Sequence, residues 1–316
     1  MEIINDLRTS FNWRTFKTPN YVAGAIIIEI DDGFMGSYSH WFPLCRKLAK
    51  KHNQWRYFNA VVCCPAVNTA SINTSNTYMT SAQLQRLCVN GWEIMSHGKY
   101  HCNFGSMSLT APANAGQKRI DLPHVGGLNS LGVYTYKIQE GENVEEITIA
   151  TMDIAEKYIT VTNNLVNSYT TAAKFSLTSQ SIIDLLQGCI DDLAGWGITC
   201  KSHVWPYHYG SQAYYNAEAV AIVASLFDSA RGVSGDYNTA VTDKHLMKSR
   251  LLNDDLTEAT IDTILNTTLT NDYVTIFYGH GETTILRLAQ LEYLIEGAFT
   301  RGIKILTRSK ALERLL

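Results

Sequence analysis

Two adjacent carboxylates, Asp31 and Asp32, stand at the end of an apolar run, Ala25-Ile26-Ile27-Ile28-Glu29-Ile30, and are followed by Gly33. Like charges this close repel, so both can sit in one partly desolvated site only with a cation or a shared proton. Taken alone, Asp-Asp-Gly after a strand is most often a plain turn. Histidines elsewhere supply what the pair needs. His97 and His101 are four residues apart, a spacing that places two imidazoles on one side of a helical turn, where both can bind one metal ion. With one aspartate they give three protein ligands and leave a position open for water, the pattern of a catalytic rather than a structural zinc site. The remaining aspartate is then available as a base, and a distant histidine, His280, as an acid. Each part has a bland counterpart, namely a turn, a surface or core histidine pair, and a loop histidine. Their joint occurrence is less easily bland.

Such residues need elements that bring them together. The β-branched run through Ile30 suits a parallel strand buried on both faces, ending at the carboxylates. A helical pattern follows from about Trp41 to His52, then a strand from Arg56 to Pro65. Thr80 caps a helix that Asn90-Gly91 ends, and Trp92 to Ser96 is a short strand leading into His97. This alternation predicts a parallel sheet or barrel. From about Ser106 to Lys174 the rhythm changes. Val133 to Ile138, Glu145 to Ile149 and Tyr158 to Thr162 alternate like antiparallel strands, a β-rich insertion that either shapes a cleft or serves as an interaction surface. The α/β rhythm resumes with a helix over Leu177 to Trp196, a strand from Lys201 to Val204 ending at Trp205-Pro206-Tyr207-His208, and a helix from Asn216 to Phe227. It continues with a strand around Ala230 to Val233, a helical or loop segment from Asp254 to Leu269, and a strand from Tyr273 to Tyr278 ending at His280. A helix from Ile285 to Gly302, a last strand and a terminal helix close the chain. Four strands thus end in polar residues, and a barrel would gather those ends on one face.

Composition narrows the partners. A net charge of −3 with no Lys/Arg block excludes an electrostatic footprint for nucleic acid or an anionic membrane surface. The longest apolar run carries Glu29 and is too short to span a bilayer. The first residues lack the basic and apolar regions of a signal peptide, so the expectation is a protein that stays inside its cell, leaves by another route, or is an excised domain, virion association included. Seven cysteines without a C-x-x-C pair do not indicate a disulfide framework, and Cys102, a lone soft ligand beside His101, is weak evidence for a thiolate site.

The pattern resembles the polysaccharide deacetylases with the NodB homology domain, carbohydrate esterase family 4. The family's T-F-D-D-G corresponds to Glu29-Ile30-Asp31-Asp32-Gly33, and its H-S/T-x-x-H to His97-Gly98-Lys99-Tyr100-His101. The lead-ins Tyr78 to Leu84 and Gly91 to His97 are similar to the family's helix and strand before the histidines. Trp205-Pro206-Tyr207 resembles the third motif, and Ile276-Phe277-Tyr278-Gly279-His280 the last. The resemblance covers the chain from Ala23 to Leu315, apart from the insertion. It implies an α/β fold, a distorted (β/α) barrel of the NodB type with about seven parallel strands, formed by residues 1–105 and 175–316, with 106–174 inserted. It also implies Asp31 as general base, Asp32, His97 and His101 as ligands of a divalent metal such as Zn²⁺, His280 as general acid, and the backbone N–H of Tyr207 as an oxyanion donor. The implied activity is hydrolytic removal of acetyl groups from an acetylated glycan, on nitrogen or oxygen.

Departures from the family pattern at Val204, Gly98 and His208 bear on the site. Where many members carry an arginine that orients the base, two residues before the third-motif proline, this chain has Val204; Arg231 is the candidate replacement, a surface arginine being the other reading. Gly98 replaces a Ser or Thr whose hydroxyl supports the loop, predicting a looser metal loop. His208 stands where glycine is common and either touches substrate or is an exposed loop histidine. A reading from another class is a catalytically silent glycan-binding or structural module of a phage tail or cell-surface assembly, against which the presence of both Asp31 and His280 argues.

Overall fold

The computed structural model describes residues 24–53, 60–63, 77–128, 133–207, 216–253, 255–281 and 284–315. Strand β1 (Ala25–Ile30) leads through a short π-helical turn at Ser37–Trp41 into α1 (Phe42–Lys51), with Pro43 in its first turn. After β2 (Ala60–Cys63) comes α2 (Ser81–Val89). Thr80 and Gln83 form a reciprocal capping box at its N-terminus, satisfying two backbone N–H groups that a helix start would otherwise orphan. Strand β3 (Ile94–Ser96) follows.

Seven strands then make two antiparallel sheets: β4 (Met107–Ser108), β5 (Arg119–Asp121), β6 (Tyr136–Glu140), β7 (Asn143–Ile147), β8 (Ile149–Asp153), β9 (Tyr158–Val161) and β10 (Lys174–Leu177). The sheet orders are β4-β10-β6-β7 and β5-β9-β8. The antiparallel pairing runs through Leu177, so β10 carries this region a few residues past Lys174.

The alternating pattern resumes with α3 (Ser179–Gly195), capped by Thr178, then β11 (Ser202–Val204), α4 (Ala217–Leu226), capped by Asn216, and β12 (Ser229–Arg231). Strand β13 (Ser249–Leu251), α5 (Glu258–Thr270), β14 (Val274–Gly279), α6 (Ile285–Thr300), β15 (Lys304–Ile305) and α7 (Arg308–Leu315) complete the chain. The three residues of β13 carry no periodic signal, and pairing with β14 is what makes them a strand. Of the strand expected over Arg56 to Pro65, only Ala60–Cys63 lies among the described residues; Cys64 and His208 lie outside them.

The principal sheet has the order β12-β11-β3-β2-β1-β14-β13, with β15 added beside the start of β1, and every pairing in it is parallel. An isolated parallel bridge between Arg231 and Met247 links the two ends of that order. Strand β1 is central, and its pleat sorts its side chains. Ile26, Ile28 and Ile30 pack with Trp41 and Leu48, with Leu84 and Leu87 of α2, and with Leu291 and Leu294 of α6. Ala25 and Ile27 face the other way, against Met247, Val274, Ile276, and Ala311 and Leu312 of α7. All four isoleucines are 0% exposed, and each contributes about 1.5–3 kcal/mol by burial. Glu29 and Asp31 continue the second face, so the strand that is apolar behind becomes charged in front.

The antiparallel region does not stand apart. Phe104, Ile120, Tyr136, Ile138, Ile159 and Phe175 share one cluster with Leu185 and Leu186 of α3, Val223 of α4 and Trp205. No helix among the described residues is long and apolar enough to cross a membrane.

Candidate metal centre

Asp32, His97 and His101 come together at the C-terminal ends of β1 and β3, each offering one donor atom, all within 4.8 Å of one another. Nε2 of His97 lies 3.3 Å, and Nε2 of His101 3.4 Å, from Oδ1 of Asp32. That oxygen is buried and makes no hydrogen bond. The imidazole of His97 is 2% exposed overall, and its Nδ1 lies 2.7 Å from the carbonyl oxygen of Val204. A carbonyl only accepts, so Nδ1 carries a proton and donates, and Nε2 is the ring nitrogen turned toward Asp32. One carboxylate oxygen and two imidazole nitrogens thus converge on one point, an arrangement that suits a divalent cation.

The electrostatics agree. Burial would raise the Asp32 carboxyl, but the hydrogen-bonding capacity and charge of His97, with the charges of His101 and His280, bring it down to about 2. Burial, and then the charge of His97, push His101 down to about 4. At neutral pH the cluster is therefore an ionised carboxylate beside a neutral imidazole, the protonation state in which these groups bind metal. The donor set, one carboxylate oxygen and two imidazole nitrogens, fits Zn²⁺ or a similar divalent ion.

The backbone that presents these donors is bent. Asp32 has φ +66° and Gly33 φ +72°, so β1 ends in two successive left-handed residues, a conformation that aspartate tolerates better than most side chains. Gly98, expected to loosen the loop, does not lack support. It has φ +79°, and a β-carbon there would stand 3.1 Å from the carbonyl oxygen of Tyr100 and 3.3 Å from the Phe104 ring. Its N–H donates to Oγ of Ser96 at 3.1 Å, so a hydroxyl two residues earlier supports the loop.

Arg231 is far from the surface. It is 0% exposed at the end of β12, and its Nη2 donates to Oδ1 of Asp31 while Nε donates to Oε2 of Glu29 at 2.7 Å. The guanidinium lies over the Tyr278 ring, 4.5 Å from its centroid. Burial works against its charge, but Asp31 and Glu29 together outweigh that and hold its pKa above the ordinary arginine value. Asp31, 4% exposed, is thus fixed beside Asp32 by a cation from another strand.

His280 follows β14, and its charge acts on both Asp32 and His101. Tyr207 follows β11, with its ring centroid 4.4 Å from that of His101 and its backbone at φ +59°. A tyrosine held there is strained by about 1–2 kcal/mol, a cost that concentrates at functional sites. The seven residues to which the resemblance gives roles, Asp31, Asp32, His97, His101, Tyr207, Arg231 and His280, therefore border one locality. Sequence reasoning missed the partners around them. Glu29 was visible as a lone charge in a buried run, whereas Arg308, Ser96 and Gly127 gave no signal. Buried His203 was also passed over, as part of the Lys201 to Val204 strand.

No family model matches the chain, and no curated protein sequence matches it. Among solved structures it is similar to a putative polysaccharide deacetylase from Mycobacterium smegmatis, at 10% identity and TM-score 0.51, covering 94% of this chain and 91% of that one. A family 4 carbohydrate esterase from Streptomyces lividans in complex with acetate matches at 12% identity and TM-score 0.42, over 89% and 91% of the two chains. The peptidoglycan deacetylase PdaC from Bacillus subtilis matches at 11% identity and TM-score 0.43, over 93% and 91%. By the first of these likenesses, the chain has the fold of a polysaccharide deacetylase.

Proposed function

We propose that the protein is a metal-dependent hydrolase that removes acetyl groups from an acetylated polysaccharide. The observation that carries this reading is the convergence of Asp32, His97 and His101, with Asp31 beside them in the grip of Arg231. The solved structures it is similar to, described as deacetylases and carbohydrate esterases, point to the same substrate class. The parallel sheet, with its ends linked at Arg231 and Met247, is read as the distorted NodB-type barrel, with residues 106–174 as its β-rich insertion.

In this reading Asp32, His97 and His101 hold a divalent ion, most readily Zn²⁺. When bound, that ion supplies a Lewis acid that makes water more acidic and a carbonyl more electrophilic. Asp31 accepts the proton of the attacking water, its carboxylate aimed by Arg231. The backbone N–H of Tyr207 donates to the oxyanion that develops on the acetyl carbonyl. His280 donates a proton to the departing sugar amine or hydroxyl, and acetate is the other product.

Elemental analysis coupled to acetate release from a panel of N- and O-acetylated oligosaccharides tests the reading. The expected result is one divalent ion per chain and acetate release that a chelator abolishes. Protein that carries metal but releases no acetate from any member of the panel would instead be a silent glycan-binding or structural module.

A further inference from the structure

The pair Asp31–Arg231 belongs to a longer ladder. Glu29 is 0% exposed near the C-terminal end of β1, two residues before Asp31 and on the same face. A buried carboxylate requires cationic or hydrogen-bonded partners. Its Oε2 accepts from Nε of Arg231 at 2.7 Å, and its Oε1 accepts from Nε of Arg308 at 2.8 Å and also from Nη2 of the same side chain. Arg308, 0% exposed, is the first residue of α7, whose start is pinned by Glu93: Oε2 of Glu93 accepts from the Ser309 backbone N–H at 2.9 Å, and Oε1 from the Ser309 hydroxyl at 2.9 Å. Two carboxylates and two guanidiniums thus alternate, Asp31, Arg231, Glu29, Arg308, with their charges balanced.

The division of atoms matters. A carboxylate facing a lone guanidinium prefers the two-pronged contact that takes both of its parallel N–H groups. Because Arg308 occupies Oε1, Glu29 meets Arg231 through Nε, and Nη2 of Arg231 is left for Asp31. We propose that Glu29 and Arg308 are positioning residues of this site, Arg308 saturating Glu29 so that Arg231 keeps hold of the Asp31 carboxylate. The inference rests on the reading of Asp31 as the base. It concerns the position where the family motif has threonine and this chain has Glu29.

The test compares Arg308→Met, Arg308→Lys and the charge-balanced double variant Glu29→Gln/Arg308→Met, in kinetics and in crystal structures. Arg308→Met is expected to lower kcat about 10-fold or more, with KM within about twofold and a full equivalent of metal; Arg308→Lys, which keeps the charge, is expected to stay within about threefold of wild type. The double variant removes the Glu29 charge that would draw Arg231 away from Asp31, so it is expected to be more active than Arg308→Met alone. In the Arg308→Met crystal, Arg231 should turn both prongs to Glu29 and leave Asp31. A variant that loses thermal stability but keeps kcat, or a double variant no better than the single, overturns the proposal. An Arg231 still on Asp31 in the crystal overturns it whatever the activity. If wild type releases no acetate while Arg231 shifts as expected, the enzymatic reading fails and the positioning stands. Arg308→Gln serves the same comparison should Arg308→Met not fold.

Discussion

Gly127, in a loop of the antiparallel region, packs directly against the ring of Tyr207: a β-carbon added to it would fall 2.3 Å from Cε2 and 2.7 Å from Cζ. Since the same ring packs against His101 at a tilt of 59°, the β-rich region supplies part of the wall of the candidate site. Gly127→Ala must displace the ring and also strain a residue at φ +81°. The expected outcome is a fall in kcat of about 10- to 100-fold with metal retained, because displacements near 1 Å carry costs of that size. In a Tyr207→Ala background the same change should cost only its backbone strain, about 1–2 kcal/mol in a denaturant titration.

Removal of one ligand separates metal binding from folding. His97→Ala leaves Asp32 and His101, too few donors for a tight divalent site, and metal per chain measured after dialysis should drop well below one equivalent. A full equivalent in that variant would refute the ligand assignment.

Asp31→Asn is expected to keep its metal, since the three donors are untouched, and to lose about 10²- to 10⁴-fold in acetate release. It also leaves Arg231 with a single anionic partner in the interior. A stability loss of about 3 kcal/mol should accompany the loss of activity, read from urea midpoints.

His203 gives the fold a built-in acid sensitivity. It is 0% exposed, stacked on Phe227, with Nδ1 3.3 Å from the Ser96 hydroxyl. Burial first, then the charges of His97, Arg308 and Arg231, hold its pKa well below the usual histidine value. A group depressed in the folded state stays neutral there while the unfolded chain takes up a proton, so its contribution is present above pH ~6.5 and is lost as pH falls below it, at up to about 1.4 kcal/mol per pH unit. In the presence of chelator, unfolding free energies at pH 7.5 and 5 should differ less for His203→Gln than for wild type. Equal differences would show that His203 does not carry the linkage.

Local patterns were legible in the sequence because helices and strands write their own periodicity. The helix cap at Thr80, the helices beginning beside Thr178 and Asn216 and the β-branched run of β1 all formed where the residue pattern predicts. What escaped depends on sheet order. Arg308 and Glu29 are 279 positions apart and meet only because β15 lies beside β1 and delivers α7 to it. Strand β13 is three residues long, and its neighbours, rather than its composition, make it a strand. The histidine loop shows the same limit: Gly98 reads as a lost hydroxyl until folding reveals Ser96 in that role.

The central place of β1 also dictates when the fold can be finished. One edge of this isoleucine-rich strand pairs along its whole length with β14, which is synthesised roughly 250 residues later. At about 5–20 residues per second, that edge waits on the order of 10 to 50 s on the ribosome for its partner, an apolar strand with unpaired backbone groups that invites association with other chains. The strand that leads into both aspartates is thus the one whose nascent chain most needs protection, and the yield of folded protein should respond to chaperone supply and to translation rate more than to its final stability.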